Sequence, residues 1–374
     1  MLWRYIIMFA TNTLLLDLLR VVLGKSGTMS IPEHIDWDEL FHSSCQQGVA
    51  LLVYDGIQQT DISMDDTTRY KWVGLTGYHE ARYARYTTSI ARLADFYRSQ
   101  GLAMMVLKGY GLSLNYPISA HRPMGDLDIY LTSLDGRPAH KNLYKMGDKA
   151  LTETFGIKVD DSHHHHSVFQ FENITVENHY DFINVYSRRS NRVAEHYLKE
   201  WVRETPIVHE LYSVPLLLPP DTFNALFLLR HSAGHFAAIN MPLRHILDWM
   251  LFVERHGDTI DWKRLMPVLE QLNLKTFCSI INTIGVRYLG FDASLFPLMS
   301  DDDALVQRVL EEILNPGFSE SETGTLSSAL WVKPRRWWHN RWKNRLCYPD
   351  SLTSTFFHSL HAKILKPDHF RRII

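Results

Sequence analysis

Residues 107–131 read LKGYGLSLNYPISAHRPMGDLDIYL. An apolar run ends at Lys108-Gly109, a short polar stretch follows, and an alternating segment then carries Asp126 and Asp128 among Leu127, Ile129 and Leu131. Side chains on an extended strand point alternately to opposite faces, so Asp126 and Asp128 share one face while Leu127 and Ile129 enter a core from the other. Two carboxylates so placed repel one another and are costly to shield from water unless a cation joins them. A divalent ion is the simplest remedy. Hard ions such as Mg²⁺ take one or two protein carboxylates and complete their shell with phosphate oxygens and water. The competing reading is a solvated strand face at a sheet edge, because Asp-x-Asp is common.

The flanks of this segment sharpen the choice. LAMMVL (102–107) is a short apolar run bounded by glycines, which predicts a buried strand, and YGLSLNY before Pro117 predicts a short helix. Lys108-Gly109 therefore stands between strand and helix, where free backbone N–H groups and the helix dipole favour a phosphate. Downstream, HSVFQF and ITVENHYDF pair as a hairpin around Glu172-Asn173. Glu177 and His179 share one face of its second strand, so a neighbouring strand would bring Glu177 beside the aspartates. Three carboxylates around two ions about 3.5–4 Å apart make a phosphoryl-transfer site.

Helical periodicity surrounds this block. Residues 36–58 and 67–99 carry apolar side chains at three- and four-residue intervals, and Gly101 closes the second run as a C′ glycine. AHKNLYKMGDKAL (139–151) returns to helix, and from about residue 195 the chain reads as helical again. The expected organisation is an N-terminal helical region over 1–90, an α/β core over 91–190, and a helical region over 191–374 that ends in a basic aromatic tail.

Composition sets the outer bounds. The 374 residues, 45% hydrophobic and 21% charged, suffice for a large core divided into two or three lobes. A formal net charge of -2 provides no global basic field, so any charged function is local. Three scattered cysteines without a CxxC spacing argue against a disulfide framework or a structural zinc site, and a reducing cytoplasm is the expected compartment. The N-terminus runs apolar, but Asp17 and Arg20 interrupt it and no small-residue cleavage site follows. The uninterrupted part is too short to span a bilayer, so Leu14–Leu23 reads as an amphipathic core helix and no transmembrane segment is expected.

Four further features compete for a chemical role. The run His163–His166 invites a transition metal, but on a strand the rings alternate between faces, at most two converge, and an exposed or edge-strand position is expected. His231 and His235 have the spacing of zinc-protease helices, with Ser232 where the catalytic Glu would stand, and read as local structure. Arg244 and Asp248, four apart, form either an intrahelical ion pair or a phosphate-binding fork held by its carboxylate. The tail WVKPRRWWHNRWKNRLCYP mixes four tryptophans with six Lys or Arg and no acid. It reads as a helix packed through its tryptophans, with single-stranded nucleic acid as the alternative partner.

The Lys-Gly pair, a short helix near Tyr-Pro, RPMGDLDIYL and HHHHSVFQFENITVENHYDF together resemble the uncharacterised nucleotidyltransferase family, a branch of the DNA polymerase β-like nucleotidyltransferase superfamily. LLLDLLRVVLG, DWDELFHSSCQQGVALLVYDG and HSAGHFAAINMPLRHILDW extend the resemblance along most of the chain. It implies an α+β fold in which a small mixed β-sheet core is flanked by N-terminal and C-terminal helical regions. Asp126 and Asp128 would be paired metal ligands and Glu177 the third carboxylate, acting as base on an acceptor hydroxyl. Gly109 would sit beside a triphosphate, and His179, His235, Arg244 and Asp248 would support the cleft. The superfamily usually carries Gly-Ser or Gly-Gly where this chain has Gly109-Tyr110, which makes Lys108 and Arg122 the expected phosphate partners. The implied reaction moves a nucleoside monophosphate from an NTP such as ATP to a hydroxyl, using two Mg²⁺ ions, or Mn²⁺, and releasing pyrophosphate. The acceptor stays open among protein, RNA, sugar and small molecule. A nucleotide-binding module without turnover is the alternative.

Overall fold

The computed structural model describes residues 2–134, 142–186, 188–238, 240–316, 339–351 and 355, with side chains from residue 10 onward. Four helices come first: α1 (Leu2–Val22), α2 (Trp37–Gln46), α3 (Ala50–Gln58) and α4 (Asp66–Ser99). α1 is longer than the expected Leu14–Leu23 segment, and Leu14, Leu15, Leu16, Leu18 and Leu19 are all buried. Contact on nearly every side, rather than one stripe, explains why its periodicity is faint in the sequence. Among the described residues no helix is long and apolar enough to cross a membrane.

α4 starts at the N-cap Asp65, which accepts from the Thr68 N–H, and the chain leaves it through Gly101 at φ 76°, the expected C′ glycine. Next come β1 (Leu102–Val106), α5 (Tyr110–Ser113), β2 (Leu127–Ser133), α6 (Leu143–Phe155), β3 (His166–Phe171) and β4 (Ile174–His179). The β3–β4 hairpin turns at Glu172-Asn173, both at positive φ, as a two-residue hairpin turn requires. β2 opens at Leu127, so Asp126 immediately precedes the strand rather than lying within it.

The stretch after residue 195 departs from its helical reading. After α7 (Arg189–Trp201), β5 (Ile207–Leu211) and β6 (Val214–Leu218) form a second hairpin, and β6 joins β1 in parallel. Its turn, Tyr212-Ser213, holds φ of 51° and 64° without glycine or asparagine, and Pro215 lies within β6, so the usual turn and strand signals are missing. The sheet is mixed, ordered β3-β4-β2-β1-β6-β5, and thus extends past the 91–190 block. Helices complete the chain: α8 (Asp221–Ala238), α9 (Leu243–His256), α10 (Trp262–Gln271), α11 (Lys275–Leu289), α12 (Asp303–Leu314) and α13 (Arg341–Cys347).

The two faces of the sheet meet different cores. Leu127, Ile129, Leu131, Phe169 and Val176 pack with Tyr86, Ile90 and Leu93 of α4. Met105, Leu107 and Leu217 join the larger helical core of α1, α3, α8, α9 and α11. Asp128 on β2 and Glu177 and His179 on β4 alternate with the first set, so they face the helical side. The described part of the aromatic tail is packed: Trp342 meets Phe236 edge-on at 5.6 Å, and fully buried Lys343 places Nζ 2.6 Å from Glu312. Trp331, Trp337 and Trp338 lie outside the described residues.

Candidate functional site

Parallel pairing of β2 and β4 sets Asp128 directly opposite Glu177, and Tyr130 opposite His179. Antiparallel pairing of β3 and β4 sets His166 opposite His179. One sheet face thereby gathers Asp128, Glu177, His179 and His166. Lys108 enters from the end of β1, where the Leu107 N–H donates to the Asp128 carbonyl at 3.0 Å and ties the Lys-Gly turn to the acidic strand.

Asp128 is the buried centre of the group. Lys108 Nζ and His179 Nε2 each lie 3.0 Å from its Oδ1. Burial opposes its ionisation, but the Lys108 charge and the His179 hydrogen bond outweigh that and hold the carboxyl well below the ordinary range. His179 is 2% exposed; burial disfavours its charge, but hydrogen bonds to Asp128 and Glu177 raise it to about 9. Its Nδ1–H donates to the Asp181 carbonyl at 3.0 Å. Asp126 is exposed at the mouth, and burial, Glu177 and Asp128 all push its carboxyl above the usual value. Carboxylates crowded around Asp126 in this way are a donor set a divalent cation would relieve, so the residues fit such an ion.

Gly109 has φ 65° and ψ -101°, a conformation open to glycine alone at little cost, and a Cβ there would lie 3.7 Å from the Asp126 carbonyl oxygen. α5, which follows it, is a single turn.

A cleft of about 370 Å³ separates this face from α8, with Lys108, Glu177 and His179 on one wall and Phe227, His231 and His235 on the other. His231 and His235 have rings 4.5 Å apart, and His245 of α9 joins them at 5.4 Å and 5.1 Å. Burial holds His231 and His245 well below the ordinary imidazole range. A cavity of about 390 Å³ between α1, α11 and α12 is slightly larger but gathers no comparable chemistry: Asp17 there is paired with Arg20.

The arginines are placed differently from their sequence spacing. Asp248 takes Arg122 as its ion-pair partner, Nε to Oδ1 at 2.7 Å and Nη2 to Oδ2 at 2.9 Å, and the Tyr116 hydroxyl donates to Oδ1 at 2.8 Å. Arg122 and Arg244 both donate from Nη1 to the Pro123 carbonyl, at 3.4 Å and 3.3 Å. Both guanidiniums therefore brace the loop that delivers Asp126. The neighbouring His121 is bound by Asp55 at 2.5 Å and Glu80 at 3.2 Å, which anchors the same loop to α3 and α4.

The histidine run holds what its alternation did not foretell. One ring nitrogen each of His165, His166 and His179 lies within 4.8 Å of the others, as do donor atoms of Asp128, Glu177 and His179. The third imidazole comes from the neighbouring strand, and only the β3–β4 register shows that.

A family model described as an uncharacterised nucleotidyltransferase matches residues 33–290, which include every residue of the site. No curated protein and no solved structure matches the chain.

Proposed function

The chain belongs to the uncharacterised nucleotidyltransferase family, and from that premise we propose that it transfers a nucleoside monophosphate from an NTP to a hydroxyl acceptor, releasing pyrophosphate, with a divalent metal at Asp126, Asp128 and Glu177. The observation that carries this reading is the pairing of Asp128 with Glu177 across β2 and β4, with Asp126 at the mouth and Lys108 3.0 Å from Asp128. A bound Mg²⁺ or Mn²⁺ would neutralise triphosphate charge and align the attacking and leaving oxygens.

The chain's own groups supply the rest. Gly109 gives the phosphates a backbone approach free of a side chain. Lys108 offers its ammonium to the triphosphate once a cation shares Asp128. Glu177, on the cleft wall, accepts the proton of the acceptor hydroxyl. Arg122 and Arg244 take a positioning part through Pro123 in place of direct phosphate contact. Catalysis then rests on alignment and charge compensation.

Calorimetric titration with Mg²⁺-NTP tests the site: Asp126→Ala with Asp128→Ala should weaken binding at least tenfold. Wild-type affinity in that folded double variant would sink the assignment. Incubation with labelled NTPs and a cell extract, followed by mass identification of the labelled acceptor, separates transfer from binding without turnover.

A further inference from the structure

The imidazoles beside Glu177 stand from its carboxylate at distances longer than a good hydrogen bond. His166 Nδ1 lies 3.6 Å from Glu177 Oε2, and His179 Nε2 lies 3.5 Å from the same oxygen. Both separations exceed the usual N–H···O range of about 2.7–3.2 Å. They lie close to the spacing of about 3.3–3.5 Å between two ligands on one tetrahedral ion whose bonds are about 2.0–2.1 Å long. His166 is 6% exposed, and its Nδ1 and that of His165 are buried without a hydrogen-bond partner. A buried ring nitrogen without a partner is costly, which is a reason to look for what it binds. His179 gives Nδ1–H to the Asp181 carbonyl, which fixes the ring and aims Nε2 at Asp128 and Glu177, so an ion there takes the place of the proton that Nε2 now donates to Asp128.

We propose a second metal site, for a first-row divalent ion of the Zn²⁺ or Co²⁺ class, formed by one ring nitrogen each of His165, His166 and His179, which lie within 4.8 Å of one another, with Glu177 Oε2 as the fourth ligand. Nitrogen-rich donors select such ions, whereas the oxygen donors of Asp126 and Asp128 suit Mg²⁺. The site shares Glu177 with the nucleotide reading, and its His179 also contacts Asp128 at 3.0 Å, whereas His165 and His166 belong to it alone. Its occupation fixes the Glu177 side chain on the cleft wall by binding one of its two oxygens.

The test uses the full chain without an affinity tag, stripped with a chelator and titrated with Co²⁺ while visible ligand-field absorption is read. A single equivalent should bind, be displaced by Zn²⁺, and resist millimolar Mg²⁺. His166→Gln and His165→Ala should each weaken Co²⁺ binding at least tenfold. His163→Ala, which removes a ring stacked on His166 at 4.8 Å but no ligand, should leave it unchanged. Asp126→Asn should lose Mg²⁺-NTP binding and keep Co²⁺, so the two sites fail separately. X-ray absorption at the zinc edge of the wild-type protein reads the ligands without any substitution and should show imidazole scattering. An oxygen-only shell, Co²⁺ bands that persist in both histidine variants, displacement by Mg²⁺, or no Co²⁺ binding by the wild type would each overturn the proposal.

Discussion

Replacing Asp248 by alanine should be among the most damaging single changes in the chain, and its cost follows from three contacts. The substitution strips Arg122, 5% exposed, of both carboxylate hydrogen bonds and leaves the Tyr116 hydroxyl, 4% exposed as a residue, without its acceptor. Breaking one side of a buried ion pair costs about 3–5 kcal/mol, and orphaning a buried hydroxyl costs about 1–3 kcal/mol. The terms overlap because both act on one carboxylate, so the expected loss is about 4 kcal/mol, or nearly three decades in the folding equilibrium. Urea unfolding followed by tryptophan fluorescence measures it. The double variant Arg122→Met, Asp248→Leu should regain the ion-pair part of that stability, because an apolar pair of similar volume replaces a buried ion pair at little cost, and should keep only the cost of the orphaned Tyr116 hydroxyl.

The same pair has a pH signature. Burial pushes the Asp248 carboxyl up, but the Arg122 charge and hydrogen bonds outweigh it and leave the folded value below the unfolded one. Its stabilisation is therefore complete above the ordinary aspartate value of about 3.9 and is lost as pH falls through the folded value. The functional consequence separates brace from core: the double variant, though stable, lacks the Arg122 contact to Pro123 and should bind Mg²⁺-NTP less tightly than wild type. A loss below about 1 kcal/mol in Asp248→Ala, or no coupling in the double-mutant cycle, would refute the reasoning.

Two further changes probe the frame of the site. Gly109→Ala should destabilise by about 1–3 kcal/mol through backbone strain alone, because the nearest atom to the new Cβ is 3.7 Å away; an unchanged urea midpoint would mean the turn relaxes freely. Glu195 caps the Phe182 and Ile183 N–H groups at 3.1 Å, and burial pushes it up to about 7. Its folded value exceeds the unfolded one, so its contribution is present below about pH 4.3 and fades as pH rises to 7, on the order of 3 kcal/mol. Glu195→Gln should flatten that part of the stability profile, and an identical slope in the two proteins would exclude Glu195 as its source.

What could be read in the chain was local, and what could not be read was pairing. The alternation of Asp128 against Leu127 and Ile129, and of Glu177 against Val176, placed each carboxylate on the correct face, because side-chain direction in a strand depends only on position. The β3–β4 turn was legible because Glu172-Asn173 interrupts two alternating runs, whereas Tyr212-Ser213 adopts the same left-handed geometry with residues that do not announce it. Arg122 finds Asp248 across 126 positions, while the helical spacing pointed to Arg244. The convergence of His165 and His166 with His179 required the register His166 to His179, which no periodicity encodes.

The charges around β2 do not balance within the chain, and this is the strongest physical reason to expect a cation there. Lys108 and His179 both direct their charge at Asp128 Oδ1. Asp126 is left at the mouth, pushed above its usual range by burial, Glu177 and Asp128. Arg122, the nearest strong cation along the sequence, is spent on Asp248. A purely structural strand would gain by replacing Asp128 with an apolar residue, since a buried ionic group contributes little net stability and is costly when unmatched. The folded chain instead supports the carboxylates with a braced loop, a left-handed glycine turn and an open cleft. Those supports are the ones a charged ligand would need in order to bring the compensation, with Mg²⁺-NTP the form proposed above.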